Sequence, residues 1–170
     1  MTWQKDLTTP NTYLFEDQGR PFGQMHFDTA LVDAACVFQG RAFHIRKRGF
    51  WSGFPQIVLP DGTVALSARS ENWYGSTQIL HCGTGVFKGR WQNNALGEFI
   101  IFETDRQYPL LAVGLKIKDN QCFTQLTVSD AARKLPELAL LLAYAWHSFL
   151  PASQQGMDDG GLTVLLASVA

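Results

Sequence analysis

Residues 136–150, Pro-Glu-Leu-Ala-Leu-Leu-Leu-Ala-Tyr-Ala-Trp-His-Ser-Phe-Leu, constrain the fold more than any other stretch of the chain. Leucine and alanine dominate it, and both are strong helix formers. Pro136 suits a first helical turn, Glu137 complements the positive end of the helix dipole, and Pro151 is expected to stop the helix. Ser129 or Asp130 is placed to cap an earlier turn, so the helical region is expected to cover about residues 131–150. At 100° per residue, Glu137, Tyr144 and Ser148 fall on one narrow stripe and apolar side chains cover nearly everything else. A helix that is hydrophobic nearly all round either spans a membrane or is enclosed by protein. Spanning takes about 20 apolar residues. This run is shorter and follows Arg133, Lys134 and Glu137, so enclosure is expected and a transmembrane segment is not.

Something must then enclose it. From about residue 12 to residue 128 the chain is a series of short apolar or alternating runs. Strands are expected near 12–16, 22–27, 31–38, 41–48, 55–59, 63–69, 76–81, 84–91, 96–103, 109–118 and 121–128. Turn residues recur every 8–12 residues or so, the spacing of an all-β barrel or sandwich. Pro60-Asp61-Gly62 is the best-specified turn, because Asp-Gly supplies the positive φ that a tight hairpin needs. Lys118-Asp119-Asn120-Gln121 separates two further strands in the same manner. The run 95–102 is apolar on both alternations, so its strand is expected to be covered on both faces. Residues 1–11 read as a polar lead-in, 152–161 as a turn-rich connection, and 162–170 as a last strand or a short helix, with the strand favoured. The whole forms one expected domain, with its core over about 12–150 and a C-terminal extension over 151–170.

A run of hairpins followed by one apolar helix beginning Leu-Pro-Glu-Leu-Ala-Leu-Leu-Leu resembles the tubby C-terminal-like superfamily, which includes the tubby domain, the LURP-one-related proteins and the phospholipid scramblases. The resemblance covers roughly residues 12–150. It rests on architecture, on Asp61-Gly62 and on the helix, with no catalytic signature. It implies a mainly β fold: a closed antiparallel barrel around a central C-terminal hydrophobic helix. It also implies phosphoinositide binding through basic surface residues, as in tubby domains. The chain departs from the pattern by continuing to Ala170 and by offering eleven candidate strands where the family barrel has twelve; residues 162–170 are a candidate for the missing one. It has no acidic calcium loop and no cysteine-rich acylation tract, so scramblase activity does not transfer.

Fourteen basic and fifteen acidic residues leave a net charge of -1. Such a domain has no overall field to attract nucleic acid or anionic lipid, so any such contact must be local. Three widely spaced cysteines, Cys36, Cys82 and Cys122, match neither a disulfide framework nor a zinc site. With no export signal at the N-terminus, a cytoplasmic location is expected.

The most distinctive polar cluster is Arg41-Ala-Phe-His-Ile-Arg-Lys-Arg48. On a strand, His44, Arg46 and Arg48 share one face, and Phe43, Ile45 and Lys47 the other. With Arg41 they can hold a phosphate or an acidic head group. Lys88 and Arg90 repeat a smaller version and extend the patch if the two strands are neighbours. The competing explanation is a solvated edge strand that uses charge to block aggregation. Other constellations are weaker. Gly83-Thr-Gly-Val-Phe-Lys-Gly89 has the wrong spacing for a dinucleotide fingerprint and leads into a strand. Gly49-Phe-Trp-Ser-Gly53 is not a nucleophile elbow. His81 and Cys82 point to opposite faces of a strand and cannot act as a nucleophile–base pair. His26 and Asp28 are too few for a metal site, and His147 is expected to be a buried, hydrogen-bonded core residue. Trp51, Trp73, Tyr74 and Trp91 are expected either to pack the barrel ends or to line a groove. No cofactor is expected. The reading is a non-enzymatic binding module for an anionic ligand; the alternatives are a lipocalin-like carrier with a hollow barrel and an enzyme of unrecognised type.

Overall fold

The computed structural model describes residues 1–47, 53–71, 73, 76–92, 97–104, 108–118 and 121–158, with side chains left out at 118, 121, 122 and 151–158. Twelve strands are formed: β1 Thr2–Lys5, β2 Thr12–Asp17, β3 Arg20–Phe27, β4 Ala34–Phe38, β5 Arg41–Lys47 and β6 Pro55–Val58, then β7 Val64–Ser70, β8 Thr77–Cys82, β9 Gly85–Gln92, β10 Glu98–Glu103, β11 Pro109–Lys118 and β12 Gln121–Val128. Each pairs antiparallel with the next, in one sheet ordered β1 to β12. The sheet curls into a nearly closed barrel. Across the seam between the first and last strands, the Trp3 indole N–H donates to the Thr124 carbonyl at 3.0 Å. Helix α1 Asp130–Arg133 and helix α2 Leu138–Asp158 follow.

The alternation that marked the strands sorts their side chains. Met25 and Phe27 on β3, Cys36 and Phe38 on β4, and Phe43 and Ile45 on β5 are buried, while the residues between them are exposed. The β6–β7 hairpin forms at Pro60-Asp61-Gly62. Gly62 has a φ of 87°, and the Asp61 carboxylate accepts the Thr63 N–H at 2.9 Å. As expected of its apolar run, β10 is covered on both faces: Phe99 and Ile101 are buried, and so is the outward Ile100.

Over Leu138–Leu150, helix α2 is enclosed by the barrel. Leu141 to Trp146 are all fully buried. Each large apolar side chain removed from water contributes roughly 1.5–3 kcal/mol, so this helix is the organising mass of the core. Trp146 lies against Trp3, Tyr13 and Phe15, with ring centroids 4.7, 5.7 and 5.2 Å away. Within the polar stripe, the Tyr144 hydroxyl donates to Gln78 Oε1 of β8 at 2.7 Å. His147 stacks on Phe27, and its Nε2 bonds the Val32 carbonyl at 2.9 Å. Among the described residues, no helix is long and apolar enough to cross a membrane.

Several expectations need correction. Thr2–Lys5 is a strand and not a lead-in. Its single inward aromatic, Trp3, is too little to set up a visible alternation, and the strand forms because Trp3 packs against Trp146. This is the twelfth strand, so none is required from 162–170, which lie outside the described residues. The strand expected from residue 31 begins at Ala34, because Leu31 turns with a φ of 55°. Ser129 does cap an early turn, accepting the Ala132 N–H at 3.1 Å, but that turn is α1. Helix α2 starts at Leu138, after a break at Leu135–Glu137. Pro151 does not stop α2, which runs to Asp158 through much of the expected 152–161 connection. A proline deletes one rung of the ladder, here to the His147 carbonyl. Ala152, Gln154 and Gln155 beyond it are tolerant of helix.

A candidate anion-binding face on strand β5

Strand β5 presents Ala42, His44 and Arg46 outward, because Phe43 and Ile45 are committed to the core. The strand is paired on both sides, by β4 and by β6. It is therefore not a sheet edge, and protection of an edge does not explain its charge. Register sets the neighbours of His44: His26 pairs with Ala35, and Ala35 with His44. Two strand spacings put the backbones of the histidines roughly 9–10 Å apart. The small Ala35 side chain between them leaves a hollow. The result is a depression of about 270 Å³ bordered by His26, Asp28, Asp33, Ala35, His44 and Arg46.

The electrostatics are mixed. Arg46 and His44 have no ion-pair partner among the described residues. The two aspartates are engaged by the β3–β4 turn. Asp28 Oδ1 accepts the N–H groups of Val32 and Asp33 at 2.8 and 3.3 Å, and Asp33 Oδ1 accepts the Lys47 N–H at 3.3 Å. His26 is held by Thr12, Nδ1 to Oγ1 at 2.8 Å. One guanidinium and two imidazoles thus line a shallow cup together with two carboxylates, each of which accepts backbone N–H groups through Oδ1. Arg46 is the one fixed positive charge among them and can offer charge-assisted hydrogen bonds to an anionic group.

The other candidate residues separate. Arg41 starts β5 at a turn and lies at the barrel mouth near α2, away from His44 and Arg46. Arg48 lies outside the described residues. Lys88 and Arg90 do not extend the patch, because three strands stand between β5 and β9. Their charges are also committed: Lys88 pairs with Glu71 at 2.6 Å, and the Arg90 guanidinium lies 5.1 Å over the Phe102 ring. Lys47 is exposed at the end of β5 rather than turned inward. His26, Asp33 and Ala35 were not grouped with β5 from sequence. Only strand register reveals them.

Groups with chemical reactivity are quiet. Cys36 and Cys82 are free thiols buried in the wall. Desolvation raises both pKa values, that of Cys82 to about 12. His81 faces outward and Cys82 inward, as strand geometry requires. Gly83 takes a turn conformation with φ 58°. No group of three His, Cys, Asp or Glu side chains able to hold a metal ion occurs among the described residues. Trp91 packs on Phe99 and Phe149, and Trp73 is exposed; Trp51, Ser52 and Tyr74 lie outside the described residues. No family model, curated protein or solved structure matches the chain.

Proposed function

We propose that the chain is a non-enzymatic binding module that takes an anionic, phosphate-bearing group on the outer face of β5, at His44 and Arg46. One observation carries this reading. These two side chains are exposed and unpaired among the described residues, on a strand in the middle of the sheet where neither edge protection nor an ion pair accounts for them. The order of elements, twelve strands followed by an enclosed helix, supports a place in the tubby C-terminal-like superfamily, whose tubby domains bind phosphoinositides. The enclosed helix also weighs against a lipocalin-like carrier, since Tyr144 and Trp146 occupy the space a lumen would need.

The test is co-sedimentation with phosphatidylcholine vesicles, with and without about 5% phosphatidylinositol bisphosphate. Binding is expected only with the anionic lipid, weakening as salt rises. The double substitution His44→Glu, Arg46→Glu is expected to abolish it, and Asp33→Asn to strengthen it. Binding unchanged by the charge reversal removes this face from consideration.

A further inference from the structure

At the end of the barrel where α2 enters, a second concavity of about 520 Å³ opens to solvent. Its chemistry differs from that of the β5 face. Leu59, Ala65 and Leu140 are apolar, only partly buried, and packed against the core beneath them. Phe43 forms part of the floor. Arg41 stands exposed at the rim, with no ion-pair partner among the described residues. Asp61 shares the rim as an opposing negative group: its carboxylate is bound into the hairpin turn by Thr63, and those hydrogen bonds lower its pKa and keep it ionised. Volume, apolar walls and one polar anchor are the attributes of a small-molecule site.

We infer that this mouth pocket binds an apolar-bodied monoanion, with the hydrophobic part against Leu59, Ala65 and Leu140 and the anionic group on Arg41. The observation that specifies the class is the pairing of a free guanidinium with an apolar cleft. A highly charged polyphosphate would leave the walls unused, and a neutral hydrocarbon would leave Arg41 unused. The site is independent of the β5 face: Arg41 lies on the mouth side of the strand, and His44 and Arg46 on its outer side.

The test uses 1-anilinonaphthalene-8-sulfonate as the anionic probe and N-phenyl-1-naphthylamine as its uncharged counterpart, with folding verified by thermal melting. The sulfonate is expected to bind saturably at one site with blue-shifted emission. Arg41→Gln should weaken it about fivefold or more, as expected for loss of one charge-assisted contact, while changing affinity for the amine less than twofold. Asp61→Asn keeps a turn-compatible residue and should tighten the sulfonate. Ala65→Trp should fill the cleft and abolish both. Should Ala65→Trp fail to fold, chemical-shift mapping of the unsubstituted protein decides. Perturbations centred on Leu59, Ala65 and Leu140 support the site, and perturbations elsewhere overturn it. Sulfonate affinity unchanged by Arg41→Gln, or non-saturable binding, also overturns it. Arg46→Glu should leave the sulfonate affinity intact, so failure of one site does not entail failure of the other.

Discussion

On β5 the outward side chains are Ala42, His44 and Arg46; on β9 they are Val86, Lys88 and Arg90. Both strands turn aromatic or aliphatic residues inward, and both are paired on each side. Their cations nevertheless stand in different surroundings. Those of β9 are consumed locally, by Glu71 and by the face of Phe102. Those of β5 face a hollow made by Ala35, with aspartates that backbone N–H groups already hold. A run of basic residues therefore does not mark a site by itself. What sets β5 apart is that His44 and Arg46 have no local ion-pair partner among the described residues, and that depends on the cross-strand neighbours that register supplies.

The comparison can be broken in several ways. The largest effects belong to the inner faces, where the strands should behave alike. Phe43→Ala and Phe87→Ala are each expected to cost about 3–5 kcal/mol in chemical denaturation; a cost below about 1 kcal/mol for either would mean that its side of the wall is not packed as described. Next comes Gly89→Ala on β9. Its added Cβ would lie 2.7 Å from Cζ of the fully buried Phe99, so a loss of about 1–3 kcal/mol is expected from overpacking, and a neutral result would show that Phe99 can move. Smaller still are the outer cations. Lys88→Ala should remove a half-exposed pair worth about 0.2–1 kcal/mol, whereas Arg46→Ala should stay within about 0.5 kcal/mol and show its effect only in vesicle binding. If Arg46→Ala proves the more destabilising of the two, the contrast between the strands fails.

The last prediction appears as a slope in the pH–stability curve below neutral pH. Burial holds the His147 pKa below its ordinary 6.5, while the Val32 carbonyl, Asp33 and Asp28 oppose the shift. The unfolded chain therefore takes up the proton first as pH falls. Stability is complete above about pH 6.5 and declines as pH drops from there toward the folded-state value. His147→Gln keeps a donor for Val32 and should flatten that part of the pH–stability curve, whatever its constant cost from lost stacking on Phe27. An unchanged slope would assign the acid sensitivity to other groups.

Much of this was legible in the residues. The helix announced its burial because no face of it was polar enough for water, and eleven strands were visible as short apolar or alternating runs separated by turn residues. Asp61-Gly62 fixed one hairpin through a conformational requirement that few residue pairs satisfy. The failures are equally physical. β1 was hidden because a single tryptophan makes no pattern, and its strand exists through contact with Trp146 far along the chain. The run of α2 past Pro151 was hidden because one missing hydrogen bond is a local penalty. The site was half legible: alternation placed His44 and Arg46 outward, but which side chains stand beside them depends on pairing across strands. That same pairing separated Lys88 and Arg90 from them.

The order of elements also has a consequence for how the molecule is made. All twelve staves precede α2 in the chain, so each leaves the ribosome before the segment it must wrap. At roughly 5–20 residues per second, β2 is made on the order of ten seconds before the helix that fills the barrel, and β11 only a few seconds before it. Until α2 is made, the apolar residues of those strands lack the partner that covers them in the finished barrel, and uncovered apolar surface invites association with other chains. Arrival of α2 covers that surface, since Leu141 to Trp146 are buried against it in the finished barrel.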